Sequence, residues 1–260
     1  MSRVTIKSIK SNKLKKPIVC LTAYSKFIAQ ILDKYCDIIL VGDSTSMVLY
    51  GMKTTRDISL ETMIQHAKAV KKSTKKSLVV CDMPYSSYSN KLTAFKNAKK
   101  IIEKTKCDAV KLEGGKDIAN IVKFLTQKGI PVMGHIGLMP QQSKKFIIKG
   151  KTNSQKKKIL SDAVSISNAG AFAIVIECVV ESLAKIITNI IPIPTIGIGA
   201  SRYCDGQILV TDDILGMSNI QPKFIRKYCN VENIIEKGIK KFCKDVRYKK
   251  FPSNKNVYNY

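Results

Sequence analysis

Short apolar runs rich in β-branched residues recur along most of the chain, at 17–22, 38–41, 77–81, 109–112, 131–133, 173–176 and 194–196, with a weaker one at 207–210. Stretches of helical periodicity separate them. Phe27, Ile28, Ile31, Leu32 and Tyr35 make one apolar stripe, and Ala94, Phe95, Ala98, Ile101 and Ile102 another, each expected to face a sheet. This alternation builds βα units around a parallel sheet, an α/β class of fold. Eight such units in about 210 residues predict a closed (β/α)8 barrel, which typically takes ~250 residues. The competitor is an open doubly wound sheet. It loses its main support because Gly197-Ile198-Gly199 lacks the third glycine of a dinucleotide fingerprint, Arg202 standing in its place.

No interdomain linker interrupts the pattern. Residues 1–260 therefore read as a single barrel domain with a short N-terminal extension and a C-terminal helix carrying Ile234, Ile235, Ile239, Phe242 and Val246. The tail beyond Phe251 reads as frayed. One stretch, 138–155, has Pro140 and Gly150 but no periodicity, and is long enough to be a lid, a binding loop or simply a mobile basic loop.

Charge narrows the function classes. Lys and Arg number 45 against 19 Asp and Glu, a net charge of +26, and only Arg3, Arg56, Arg202, Arg226 and Arg247 are arginines. Base readout leans on the arginine fork, and no nucleic-acid recognition module is present, so the lysines read as a solvated surface and not a binding groove. Neither a secretory leader nor an apolar run of membrane-spanning length is found, which predicts a cytoplasmic protein with no membrane partner. The eight cysteines form no C-x-x-C pair and read as reduced structural thiols.

Polar residues collect at the carboxyl ends of the apolar runs: Thr22-Ala23-Tyr24, Gly42-Asp43-Ser44, Asp82, Lys111-Leu112-Glu113, Gly134-His135 and Glu177. In a barrel these ends converge on the face where active sites lie. Alternation along a strand sends Lys111 and Glu113 to one side, and sets Asp82 opposite Cys81, which then packs under a helix. Asp43, Asp82 and Glu113 in one dry mouth repel each other unless a cation lies among them. An all-oxygen donor set favours Mg²⁺; the alternative is a metal-free Asp/Lys ion-pair network. Glu177, in the most apolar stretch of the chain, suits a general base, or else is a core glutamate held by a lysine. His135 is a supporting proton carrier or ligand, or a backbone hydrogen-bonder, and His66 reads as packing. Glu181 is expected to open the next helix.

The strings Thr22-Ala23-Tyr24, Val41-Gly42-Asp43-Ser44, Asp82-Met83-Pro84, Val110-Lys111-Leu112-Glu113-Gly114-Gly115, Gly134-His135-Ile136-Gly137-Leu138, Glu177-Cys178-Val179, Gly197-Ile198-Gly199-Ala200 and Asp205-Gly206-Gln207, in this order, resemble the ketopantoate hydroxymethyltransferase family. The resemblance implies a TIM barrel of the phosphoenolpyruvate/pyruvate type and an Mg²⁺-dependent step of pantothenate and coenzyme A biosynthesis. In that step a hydroxymethyl group passes from 5,10-methylenetetrahydrofolate, the folate co-substrate, to 3-methyl-2-oxobutanoate, giving 2-dehydropantoate. It further implies metal-associated acids at Asp43, Asp82 and Glu113, substrate contacts at Asp43, Ser44, Asp82 and Lys111, the proton acceptor at Glu177, and a large homo-oligomer, commonly a decamer. Two enzyme alternatives stand beside it: a metal-dependent C–C lyase acting on another 2-oxoacid, and a metal-free aldolase using Lys111 as a Schiff-base nucleophile.

Overall fold

The computed structural model of the chain describes residues 3–143, 147–218 and 222–258. Residues 144–146 of the long stretch after the fifth strand lie outside it. The described chain divides into two compact units, Met1–Val210 and Thr211–Tyr260.

In the first unit eight parallel strands pair in sequence order and close on themselves: β1 (Ile18–Thr22), β2 (Ile38–Val41), β3 (Leu78–Asp82), β4 (Ala109–Glu113), β5 (Val132–Gly137), β6 (Ala173–Glu177), β7 (Thr195–Ile198) and β8 (Gly206–Leu209). The expected barrel is what forms. Helices α1 (Ile6–Ser11), α2 (Lys26–Leu32), α3 (Thr45–Val48), α4 (Leu60–Lys72), α5 (Lys91–Thr105), α6 (Ala119–Gln127), α7 (Asn153–Asn168) and α8 (Glu181–Ile190) precede or link the strands. Five of them start on a side-chain oxygen that accepts a backbone N–H of the first turn: Thr5, Ser25, Ser59, Asn90 and Thr152.

Strand parity produces two apolar layers. Ile38, Leu40, Leu78, Val80, Ala109, Met133, Val175 and Ile196 point into the barrel, and Ile9 of α1 joins them from below, so the N-terminal extension plugs the barrel floor. Ile39, Val41, Val79, Cys81, Val110, Leu112, Ile174 and Ile176 point outward and pack against the helices. Large branched side chains on alternate positions are what fill a barrel of this size.

The α5 stripe behaves as expected, with Ala94, Ala98 and Ile101 buried and Phe95 and Ile102 packed beside them. The α2 stripe does not. Ala29 and Leu32 are buried and Ile28 packs against the core, but Phe27, Ile31 and Tyr35 are exposed. A seven-residue helix can bury only one narrow face, so its outer apolar residues stay in solvent.

The second unit holds α9 (Thr211–Ile214) and α10 (Val231–Arg247). Asn230 caps α10, accepting the Asn233 N–H at 3.1 Å. No residue of α10 is buried, and its apolar stripe is exposed by 45% at Val246 up to 66% at Ile234. The tail is not frayed throughout: Asn254–Asn256 forms a 3₁₀ turn capped by Ser253, and the Phe251 ring packs edge-on against Phe242. All eight cysteines are free thiols, six of them buried. Among the described residues no helix is long and apolar enough to cross a membrane.

Candidate active site

Strands β3 to β6 run one residue or more past the apolar runs, because the polar residues that follow those runs still belong to the ladder. Asp82, Glu113 and Glu177 close β3, β4 and β6, and His135 lies inside β5 and not in a turn. Register sets Asp82 beside Lys111, Glu113 beside His135, and Gly137 beside Glu177. All share the inward parity of Val80, Ala109, Met133 and Val175. Four adjacent strands therefore deliver five ionisable side chains to one rim.

Asp43 and Ser44 reach that rim from the turn between β2 and α3. The Asp43 N–H donates to Asp82 Oδ2 at 3.0 Å, and Ser44 Oγ lies 2.8 Å from the Tyr24 hydroxyl. His66 is more than packing. Its Nδ1 lies 2.7 Å from the Tyr24 carbonyl oxygen, which fixes that nitrogen as the donor and leaves Nε2 to accept from the Tyr50 hydroxyl at 3.0 Å.

Asp43, Asp82, Lys111, Glu113, His135 and Glu177 are all buried. Lys111 Nζ donates to Asp82 Oδ1 at 2.7 Å. Burial alone would lower the Lys111 pKa, but the charges of Asp82, Glu113 and Asp43 together hold it above the ordinary lysine value. Those charges favour the ammonium form, which counts against the neutral amine that the Schiff-base aldolase alternative requires. Asp43 is driven the other way. Burial first, then the negative charges of Asp82 and Glu113, push its carboxyl well above the usual range.

His135 bridges two acids. Its Nδ1 lies 3.5 Å from Glu113 Oε1 and its Nε2 3.3 Å from Glu177 Oε2, close enough for ion pairing but outside hydrogen-bond alignment. Burial would lower its pKa; the Glu113 charge outweighs that, and the imidazole rises to about 9. Glu113 is lowered in return: burial opposes the shift, and the His135 charge produces it. Elsewhere, Cys81 packs outward as its parity requires, and Glu181 opens α8, paired with Arg202 at 3.0 Å.

The sequence reading missed Gln141. Its side chain donates to Asp43 Oδ2 at 2.7 Å and its backbone N–H to Glu113 Oε2 at 3.0 Å. It sits just after Pro140 in the aperiodic stretch, where residue type and spacing carry no signal of what the loop folds back to touch.

The mouth fits a hard divalent cation. Its donors are carboxylate oxygens, those of Asp43, Asp82 and Glu113, all buried at one rim. Gly42 keeps the floor open: a Cβ there would lie 2.9 Å from Ser44 Oγ and 3.5 Å from Asp82 Oδ2. Among the described residues no three His, Cys, Asp or Glu form a ready-made cage. Mg²⁺ takes one or two protein carboxylates directly and keeps several waters, so the carboxylate oxygens of Asp43 and Asp82 are the donors whose chemistry fits it.

Comparisons with known proteins bear on the family and the fold. The family model described as ketopantoate hydroxymethyltransferase matches residues 3–254. A 3-methyl-2-oxobutanoate hydroxymethyltransferase of Pelagibacter ubique (strain HTCC1062) is 52% identical over 249 residues, covering 96% of each chain. In fold, the chain is similar to phosphonopyruvate hydrolase solved with oxalate and Mg²⁺, with a TM-score of 0.63 and 10% identity over 98% of this chain and 93% of that one. It is also similar to 2,3-dimethylmalate lyase, a PEP mutase/isocitrate lyase superfamily member, with a TM-score of 0.60 and 14% identity over 79% and 81%. Those two likenesses concern the barrel alone, whereas the match across nearly the whole sequence establishes that this chain belongs to the ketopantoate hydroxymethyltransferase family.

Proposed function

We propose that this enzyme transfers a hydroxymethyl group from 5,10-methylenetetrahydrofolate to 3-methyl-2-oxobutanoate, with water supplying the hydroxyl oxygen, to give 2-dehydropantoate. The observation that supports it most is the rim itself: three buried carboxylates and one lysine ammonium beside a fourth carboxylate held against a histidine. Asp43 and Asp82 would hold Mg²⁺, with Glu113 behind them. When bound, that ion supplies Lewis acidity toward the keto and carboxylate oxygens of a 2-oxoacid.

The chain's own groups do the rest. Lys111 places a fixed positive charge where the keto oxygen gains negative charge as the C3 proton leaves. Glu177 takes that proton, and the His135 ring beside its Oε2 holds the carboxylate toward the cavity. Ser44, tied to Tyr24, offers a hydroxyl to the substrate carboxylate. Water adds to the folate methylene, its C–N bonds break and tetrahydrofolate leaves, which frees the one-carbon unit at the oxidation level of formaldehyde. The C3 carbanion equivalent adds to that carbon, whose oxygen takes up a proton to become the new hydroxyl, above a barrel interior filled by apolar side chains.

Placement in pantothenate and coenzyme A synthesis, a cytoplasmic location and a homo-oligomer, commonly a decamer in proteins of this family, follow from the same reading. The exposed apolar stripe of α10 supports assembly.

The test is C3 hydrogen–deuterium exchange on 3-methyl-2-oxobutanoate without folate. Exchange should require Mg²⁺, stop on chelation and return when Mg²⁺ is restored. Exchange that persists in excess chelator, or is absent at saturating Mg²⁺, would defeat the reading.

A further inference from the structure

Gln141 is 1% exposed, and its polar groups are engaged by named partners. Nε2 donates to Asp43 Oδ2 at 2.7 Å and to the Met83 carbonyl at 3.0 Å. Its backbone N–H donates to Glu113 Oε2 at 3.0 Å. Oε1 accepts from the Tyr88 hydroxyl, which also lies 3.3 Å from the Glu113 carbonyl oxygen. The amide orientation follows from chemistry: the Met83 carbonyl can only accept, so the NH₂ must face it, leaving the oxygen to the Tyr88 donor.

The segment that carries Gln141 is stitched to β6 as well. Leu138 N–H donates to the Glu177 carbonyl at 2.8 Å, Lys149 N–H to the Cys178 carbonyl at 2.7 Å, and Val180 N–H to the Lys149 carbonyl at 3.0 Å. One stretch of chain thus touches Asp43, Glu113 and the strand end that bears Glu177. A neutral amide is suited to the place. It gives a hydrogen bond to a carboxylate without adding a fifth acid or a second ammonium to the mouth.

We propose that Gln141 is a positioning residue. Its amide and backbone N–H each occupy one oxygen of Asp43 and of Glu113, and so fix which carboxylate oxygens turn toward a divalent cation and the 2-oxoacid. This rests on the reading given under Proposed function. Tyr88 orients the amide.

The experiment compares wild type, Gln141→Met, which keeps volume but removes the hydrogen bonds, and Tyr88→Phe, which removes only the orienting hydroxyl. Mg²⁺ affinity is measured calorimetrically on substrate-free protein, beside the melting temperature and the kcat and KM for 3-methyl-2-oxobutanoate. Groups that orient metal ligands typically set affinity by about tenfold or more, so Gln141→Met should weaken Mg²⁺ binding by that much and raise KM in parallel, with a smaller loss in Tyr88→Phe. Mg²⁺ affinity within about twofold of wild type in a folded Gln141→Met would overturn the assignment, as would a melting temperature that falls while affinity holds. If Gln141→Met does not fold, Tyr88→Phe decides on the same two readouts. Wild-type protein that neither binds Mg²⁺ nor exchanges the C3 proton would instead sink the functional reading.

Discussion

Glu177 and His135 show how one contact divides the labour at the rim. Glu177 has to accept a proton from carbon, while His135 Nε2, 3.3 Å away, limits where its carboxylate can turn. Glu177→Gln keeps the shape and loses the proton acceptor. It should lower C3 exchange by about 10²- to 10⁴-fold, the usual size of a general-base contribution, with near-normal 2-oxoacid binding; wild-type exchange in that variant would reassign the base. His135 carries a pH signature. Its imidazole stands at about 9 in the folded protein, above the unfolded value of about 6.5. A raised folded pKa means the protonated form stabilises the fold, so this contribution is complete below about pH 6.5 and is lost as pH climbs through about 9. The melting temperature of metal-free protein should therefore fall over that interval, and fall less in His135→Gln; parallel profiles would show that the Glu113 and Glu177 contacts contribute nothing to stability. Much of this rim was legible in the sequence, since strand parity fixes the direction of Asp82, Lys111, Glu113 and Glu177 once the strands are located. Gln141, Tyr88 and the His66–Tyr24 contact were not, because each depends on a loop or helix returning over another element, and no local periodicity records that.

At the scale of elements, locating strands by apolar runs placed their centres well and their ends poorly. β5 was expected over 131–133 and runs Val132–Gly137, because Gly134, His135 and Gly137 are not apolar yet keep the ladder with β6. Each glycine there has a packing reason. A Cβ on Gly134 would come 2.4 Å from Ile166 of α7, so the helix lies directly on the strand. Gly137 has φ of +93°, and a Cβ there would lie 2.3 Å from the Glu177 carbonyl oxygen, the atom that accepts the Leu138 N–H. Gly137→Ala is then strained twice, by its backbone angle and by collision with backbone that cannot rotate away. It should lower the melting temperature and, in protein that remains folded, cut the C3 exchange rate by displacing Glu177. A stable variant with unchanged exchange would mean that this corner does not position the base. By contrast, Asp205 at the foot of β8 accepts from Lys13, Leu14 N–H, Thr195 N–H and the Thr195 hydroxyl. That places Asp205 at the floor end, where barrel residues serve stability.

On the scale of the whole chain, two features act against each other. A net charge of +26, nearly all lysine, makes like copies repel. The stripe of Ile234, Ile235, Ile239, Phe242 and Val246 on α10 gives them apolar surface to bury. Repulsion between exposed charges reaches about 8 Å at physiological ionic strength and about 30 Å at 0.01 M, whereas apolar burial does not depend on salt in that way. If α10 takes part in assembly, light scattering should find a homo-oligomer at physiological salt that dissociates as salt is lowered. Phe242→Asp, which places a charge in the middle of the stripe, should yield smaller species at every salt concentration while the barrel's melting transition stays in place. An oligomer unchanged by Phe242→Asp would move the interface elsewhere on the chain, and a wild-type monomer at physiological salt would end the proposal of assembly. Because Phe242 belongs to the second unit and the rim to the first, metal-dependent C3 exchange measured on the same variant tells whether catalysis depends on the assembled state. Exchange retained in the smaller species would make the barrel sufficient for the chemistry, and exchange lost with a normal melting transition would tie the rim's geometry to neighbouring copies.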